Sequence, residues 1–368
     1  MALRNVLISG AEVRDRSVGN RGAEHLLRSA AARVQRMGYS PAVTVGQVDA
    51  SLRNEILLKQ YIGNPRLQTI DSFVPRIDLE GIATLRTFRG VLDASGYALG
   101  DPWGTHTATW LSRKYDQWKA QGLTVVALPQ AYGPFEDRDV RELAVSALKN
   151  CDRIYAREQE SYDHILSLGI DGDICRICPD ITIGEGWTDN TIERAKRLVI
   201  VPNWHLSDKR GSSEYIECLT EAAEWGKSNG FEVVGLLHEG PRDLEILRRV
   251  SQRSPFPIIS DLSGWDVKKY IAESAVVVAG RYHAVVAALA TGTPVITHSW
   301  SHKYKQLLRD FGVEHWLTEP GDAVGTIRGI ESMVAEDSSE ALRRRKLELI
   351  GEVDRMWSDV HDVLSNEI

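Results

Sequence analysis

Arg281 and His283 stand one residue apart in Gly280-Arg-Tyr-His283, and their surroundings decide what chemistry they can do. The apolar run Ala275 to Ala279 reads as a buried strand and Gly280 as a turn. Tyr282 to Thr291 reads as a helix closed by Gly292, with Pro294 opening the next strand. A guanidinium and an imidazole therefore sit where a strand ends and a helix begins. The first amides of a helix lack backbone partners and carry the positive end of its dipole, so an anion is favoured there. Arginine adds paired donors that clamp a phosphate or carboxylate. The plainer alternative is an Arg and a His capping an ordinary helix. Lys303, opening a helix read as Lys303 to Phe311, points the same way as the anion reading, because cations favour the other helix end unless an anion is close.

Other polar residues follow apolar runs. Asp93 and Ser95 follow Val91-Leu92, Gln130 and Tyr132 close Thr124-Val-Val-Ala-Leu-Pro-Gln-Ala-Tyr132, and Arg157 follows Arg153-Ile-Tyr-Ala156. Asn20 and Glu24 lie in Val18-Gly-Asn-Arg-Gly-Ala-Glu-His25, read as a loop between the first strand and the first helix. His205 ends the loop Pro202-Asn-Trp-His205. In open parallel sheets ligands lie just beyond the carboxyl ends of the strands, where these residues are placed. Each also has a local account: Asp93 and Ser95 as turn formers, Gln130 as a loop amide, Arg157 as half of an ion pair.

The elements that must position these residues alternate. Val6 to Ser9 is a strand and Ala23 to Met37 a helix, with Leu26, Leu27, Ala30, Ala31 and Val34 on one face. Helices at His106 to Gln121, Asp137 to Asn150 and Gln159 to Leu168 separate the strands ending near Asp93, Gln130 and Arg157. After a polar break at Gly184 to Thr191 the alternation restarts. Strands at Leu198 to Val201, Glu232 to Leu237 and Pro257 to Ser260 interleave with helices at Ser213 to Asn229, Pro241 to Ser251 and Trp265 to Glu273. Such alternation predicts α/β architecture with two doubly wound parallel sheets. The expected domains are 1–185 and 186–335, followed by one long helix from Ser339 to Asn366 that crosses back to the first. No GxGxxG fingerprint follows the first strand, which lowers the case for a dinucleotide site.

At 368 residues the chain suits two cores, and 43% hydrophobic with 26% charged residues is ordinary for a globular protein. Forty-four basic against 51 acidic residues give a net charge of −7, which argues against nucleic acid as a partner and makes any anion site local. Neither a membrane-spanning run nor a signal peptide is read, so the expected location is the cytoplasm. Arg343-Arg-Arg-Lys346 reads as the solvated face of the last helix, with weak attraction to an anionic membrane surface as the alternative. The pair Cys175-Arg-Ile-Cys178 has no second pair at zinc spacing, so buried thiols are expected and no metal.

Taken in order, the motifs resemble the polysaccharide pyruvyl transferase family. Gly280-Arg-Tyr-His283 with its Ala-rich helix and Gly292-Thr-Pro-Val-Ile296 carries the resemblance most specifically. Asn20-Arg-Gly-Ala-Glu24, Leu128-Pro-Gln-Ala-Tyr-Gly-Pro-Phe135, Ala156-Arg-Glu-Gln-Glu-Ser-Tyr162, Leu168-Gly-Ile170 and Ser301-His-Lys-Tyr-Lys-Gln-Leu-Leu308 agree in order. The resemblance runs from about residue 6 to residue 313. It implies a GT-B-like fold of two Rossmann-like domains facing a cleft, the first on the acceptor side and the second on the donor side. It also implies phosphoenolpyruvate as donor substrate, no cofactor, and a pyruvyl ketal on a sugar or lipid-linked oligosaccharide as product. Residues matching Arg157, Arg281, His283 and Lys303 hold the donor in that family. Phosphoenolpyruvate carries roughly two phosphate charges near neutral pH besides its carboxylate, so several cations suit it.

The chemistry needs a proton delivered to carbon 3 of the enol and one removed from a sugar hydroxyl. His283 is the leading acid. Family members often carry an acidic residue after the Gly of the first loop, where this chain has Ala23, so the base stays open among Glu24, Asp93 and His205. Asn20 and Gln130 are further substrate contacts. Trp103, Trp110, Trp204 and Trp300 offer faces for a sugar ring, or are simply buried. The rival readings are a nucleotide-sugar glycosyltransferase or epimerase of the same fold, and a silent binding protein.

Overall fold

In a computed structural model of the chain, residues 5–15, 19–61, 82–83, 87–184, 192–210, 212–336 and 338–365 are described. Most of the polar break, residues 185–191, lies outside them, as does Val18. Two units emerge. The first draws on Met1–Asp15, Leu26–Ile181 and Glu352–Ile368, the second on Arg16–His25 and Thr182–Gly351.

The first unit holds β1 (Asn5–Ser9), most of α1 (Arg21–Arg36), β2 (Ser40–Thr44), α2 (Ala50–Glu55), β3 (Lys59–Tyr61), β4 (Ile82–Ala83), β5 (Phe88–Asp93) and β6 (Tyr97–Leu99). It continues with α3 (Gly104–Ala120), β7 (Thr124–Tyr132), α4 (Arg138–Leu148), β8 (Arg153–Ala156), α5 (Gln159–Ser167) and β9 (Cys175–Ile177). The strands pair in the order β4-β3-β2-β1-β5-β7-β8-β9, with β6 on β7. Every ladder is parallel, as in β1 on β5 where Ser9 faces Asp93. All nine residues of β7 are buried, which is why that strand is continuously apolar rather than alternating.

The second unit holds β10 (Ala195–Val201), α6 (Trp204–Arg210), α7 (Ser212–Ser228), β11 (Glu232–Leu236), α8 (Gly240–Arg253), β12 (Ile258–Ile259) and α9 (Gly264–Ala272). After these come β13 (Ser274–Ala279), α10 (Tyr282–Thr291), β14 (Val295–His298), α11 (His302–Asp310), β15 (Leu317–Thr318), α12 (Ala323–Ala335) and α13 (Ser339–Ser365). Its parallel sheet runs β12-β11-β10-β13-β14-β15. Counted from β10 that order is 3-2-1-4-5-6, the Rossmann order, so the direction of winding reverses between β10 and β13. Both sheets are α/β, as the alternation predicts.

Helix α10 is enclosed by the second unit. Every residue from Tyr282 to Thr291 is buried except His283, so the helix is apolar on all sides and presents one imidazole at its start. Helix α13 belongs to the second unit up to Gly351 and to the first beyond it. Leu342 and Leu349 join the core of the second unit. Asp359 pairs with Arg153 at 3.0 Å, and Asp354 with Arg33 at 2.7 Å.

Local corrections concern residues expected in loops. Arg21 to His25 form the first turn of α1, because the Asn20 side chain accepts from Ala23 N–H at 3.0 Å and its carbonyl accepts from Glu24 N–H at 3.1 Å. Trp204 and His205 open a helix, with Asn203 accepting from His205 N–H at 3.1 Å. The helix expected from His106 begins at Gly104, after a 3-10 turn at Asp101–Trp103. Strands β2, β3, β4, β6, β9 and β15 and helices α2 and α12 were not read in the sequence; all of these strands except β2 have three residues or fewer.

Candidate active site

At the reversal point of the second sheet the backbone is drawn tight. Gly280 N–H donates to the Val201 carbonyl at 2.8 Å, and the Gly280 carbonyl accepts from Asn203 Nδ2 and from the Tyr304 hydroxyl, each at 2.8 Å. A Cβ on Gly280 would lie 2.8 Å from Leu206 Cδ1 and 2.9 Å from the Tyr215 hydroxyl, so only glycine fits this crossing of β10 and β13. The next residue, Arg281, is the N-cap of α10 and is 7% exposed.

Arg281 is not a bare cation. Its Nε and Nη2 donate to the two Asp243 oxygens at 2.7 Å each, and its Nη1 donates to Glu239. Three of five guanidinium N–H groups are thus directed at the start of α8. Burial pushes the Asp243 carboxyl up to about 6, against the pull of Arg281. Asp243 also accepts from Trp204 N–H at 3.0 Å, tying α6, α8 and α10 together through one carboxylate.

His283 packs on the first turn of α1. A Cβ on Gly22 would collide with His283 Nδ1, so the Asn20-Arg-Gly motif reads as a backbone surface against which the imidazole lies. Glu24 is fully buried in the same turn, 3.6 Å from Arg21 Nη1. Arg21 itself is 2% exposed, and its Nη2 donates to the Ser260 carbonyl at 3.3 Å. His25 is hydrogen-bonded to the Gly264 carbonyl.

Lys303, buried in the first turn of α11, lies 5.1 Å from the Trp300 ring and 5.2 Å from the Tyr282 ring. Aromatic faces stabilise an ammonium, so its unusual helix position has a cation–π account as well as an anion one. His205 stacks on Trp204 at 3.8 Å and on Trp300 at 4.8 Å, and Arg242 lies 4.2 Å over the Trp204 ring. The rings form a continuous pile from Arg242 to Lys303, which holds His205 by packing.

One residue of this region was missed in the sequence. His238, after β11, is 2% exposed and neither ring nitrogen has a hydrogen-bond partner. Its carbonyl accepts from Arg21 N–H at 3.1 Å. Burial, then the charges of His25, Arg281, His283 and Arg21, push its pKa well below the usual histidine range. The signal available was positional only: a histidine at a strand end, in Leu237-His-Glu-Gly240.

The remaining sequence-predicted residues belong to the first unit and have local partners. Arg157 donates to Asp180 at 2.8 Å and to the Gly96 carbonyl at 3.0 Å, with both side chains of the pair buried. Asp93 accepts from Ser95 N–H at 3.0 Å, from the Ser95 and Tyr115 hydroxyls, and from Gln130 Nε2 at 3.5 Å. Near these, a cavity of about 310 Å³ opens beyond β1 and β2, lined by Glu12, Arg14, Thr44, Gln47, Trp110 and Lys114 among others. Lys114 Nζ sits 3.8 Å over the Trp110 ring, and Trp110 is 40% exposed.

The four cysteines are buried thiols, and burial pushes Cys175 up to about 12. Among the described residues no group of three His, Cys, Asp or Glu side chains could hold a metal ion. No helix among them is long and apolar enough to cross a membrane.

Residues 20–302 match the family model for polysaccharide pyruvyl transferase. The chain belongs to that family. No curated protein matches it in sequence. Solved structures match it in shape. HepE of Anabaena, in complex with UDP-glucose, superposes with a TM-score of 0.64 at 11% identity, covering 98% of this chain and 99% of that one. A putative UDP-N-acetylglucosamine 2-epimerase from Listeria monocytogenes gives 0.59 at 10% identity, covering 98% of each chain. The UDP-GlcNAc 2-epimerase of Methanocaldococcus jannaschii gives 0.56 at 11% identity, covering 95% of this chain and all of that one. At such identity the likeness shows the fold, which is GT-B-like with two Rossmann-like sheets. Within this pyruvyl transferase-family chain, the structure gathers Asn20, Glu24, His205, Arg281, His283 and Lys303 into the second unit. Asp93, Gln130 and Arg157 lie in the first.

Proposed function

We propose that the chain transfers the pyruvyl group of phosphoenolpyruvate to two hydroxyls of one sugar, forming a ketal and releasing inorganic phosphate. The observation that carries this reading is the convergence of Arg281, His283 and Lys303 on the start of α10, at the reversal point of a Rossmann sheet. A trianionic donor needs cations and oriented amides together, and the reversal point supplies both.

In this reading His283 delivers a proton to carbon 3 of the enol, and a sugar hydroxyl adds to carbon 2 as its own proton is removed. A second hydroxyl of the same sugar then displaces phosphate, whose charge Arg281 and Lys303 stabilise on departure. Glu24 is the carboxylate that shares the second unit with His283 and is the favoured base, since Asp93 is committed to Ser95, Tyr115 and Gln130. The acceptor is a sugar of a cell-surface polysaccharide or its lipid-linked precursor, met in the cytoplasm or at a membrane surface. The cavity at Trp110 and Lys114 has the size and the half-exposed aromatic face that a sugar ring needs.

A nucleotide-sugar enzyme is the second reading, favoured by the shape match to HepE bound to UDP-glucose. The test is turnover with phosphoenolpyruvate and a panel of sugars, following phosphate release and the ketal methyl signal by NMR. Equal amounts of phosphate and ketal support the transferase. Release of UDP from a UDP-sugar, with phosphoenolpyruvate left intact, replaces it with the second reading.

A further inference from the structure

His238 is a buried polar group that the mechanism above does not use. An imidazole with both nitrogens unpaired and 2% exposure has lost its water without replacement, which destabilises the folded protein. Groups of this kind are rare in native structures and each calls for a reason. Two such atoms on one ring point to a partner that arrives from outside.

The neighbours say what that partner is. His238 ends the loop after β11, next to β10 in the sheet and one strand from the reversal point. Its backbone is bonded to Arg21, and the charges acting on its ring come from His25, Arg281, His283 and Arg21. The carboxylates of the same region, Glu239 and Asp243, are bound to Arg281, and Glu24 faces Arg21. A ring surrounded by cationic groups stays neutral, and a neutral imidazole keeps one N–H donor and one acceptor. Such a group suits an anion's oxygen, and it avoids adding a further charge to a site that must also release its product.

We propose that His238 contacts the anionic donor directly, donating one ring N–H to a phosphate or carboxylate oxygen of phosphoenolpyruvate, and is therefore a further donor-site residue of the second unit. This rests on the donor reading given above.

The experiment is calorimetric titration of phosphoenolpyruvate into the wild type, His238→Leu and His238→Phe, with His298→Leu as a control buried elsewhere in the unit, and with ligand-free melting curves for all four. Removing an unpaired imidazole should raise the ligand-free Tm of His238→Leu or leave it unchanged. Its affinity for phosphoenolpyruvate should fall at least 30-fold, while His298→Leu binds like the wild type. His238→Phe keeps a ring of similar volume, so the same criteria apply if His238→Leu does not fold. A wild type that binds while His238→Leu or His238→Phe binds within twofold overturns this inference alone. A wild type that does not bind phosphoenolpyruvate overturns the donor reading and this inference with it.

Discussion

Both sheets present buried polar residues at their strand ends, yet the two sets differ in how they are bonded. In the first unit, Asp93 and Arg157 are enclosed by protein: Asp93 by Ser95, Tyr115 and Gln130, Arg157 by Asp180 and the Gly96 carbonyl. In the second, Arg281 is likewise held by Asp243 and Glu239, but His238 has no partner on either nitrogen, and His283 is the one residue of α10 that is not buried. On the proposed function, the unmet hydrogen-bonding capacity of His238 is where the donor arrives. A charge at a strand end is not by itself evidence of binding.

The sharpest way to break this contrast is to remove Arg157. Asp180 is fully buried, so Arg157→Met should destabilise the fold by about 3–5 kcal/mol, whereas Arg157→Met with Asp180→Leu should recover most of that loss. Chemical denaturation of the single and double variants measures both. If the single variant folds normally and loses only donor binding, Arg157 belongs with the ligand-binding set after all.

Acid stability tests the histidines. Burial holds His298 at about 4, so the folded protein resists a proton that the unfolded chain accepts below its ordinary 6.5. More protons bound in the unfolded state means that stability falls as pH drops through this window, by about 3 kcal/mol between pH 6.5 and 4 from His298 alone. His238 adds in the same direction. His298→Leu should flatten the curve measured by urea unfolding at several pH values. An unchanged slope would show that His298 is not held neutral.

Glu239 probes the donor side. Its carboxylate occupies Arg281 Nη1, so Glu239→Gln should strengthen phosphoenolpyruvate binding by about 1–2 kcal/mol, roughly five- to thirty-fold. Weaker binding would mean that Glu239 positions Arg281 rather than competing for it.

The smallest expected effect is at the cavity of the first unit. Trp110→Ala should raise the acceptor KM several-fold, about 1 kcal/mol, while leaving phosphoenolpyruvate affinity and, within about 0.5 kcal/mol, stability unchanged.

Much of the second unit was legible in sequence because its signals are local. The apolar run before Gly280, the all-apolar helix after it and the closing Gly292 specify strand, helix and crossing without tertiary information. Arg281 and His283 could be placed from these alone, and Lys303 from the helix it opens. What could not be read depends on partners far along the chain. Nothing in Asn20 to His25 says that this stretch groups with a sheet more than 170 residues later, or that its turn is helical from Arg21. The two carboxylates on Arg281 come from α8, and the unpaired state of His238 is a fact about everything that surrounds it. Short strands such as β3 and β4 carry too few residues for a period to show.

The central claim is that the second unit binds phosphoenolpyruvate through the start of α10. It is tested most directly by a thermal shift of the wild type, Arg281→Ala and His283→Ala, with phosphoenolpyruvate and with uridine diphosphate as competing ligands. A ligand that binds only the folded state raises Tm with its saturation. The account predicts that millimolar phosphoenolpyruvate raises the wild-type Tm, that both variants lose the shift, and that uridine diphosphate does nothing. A shift with uridine diphosphate and none with phosphoenolpyruvate would contradict it.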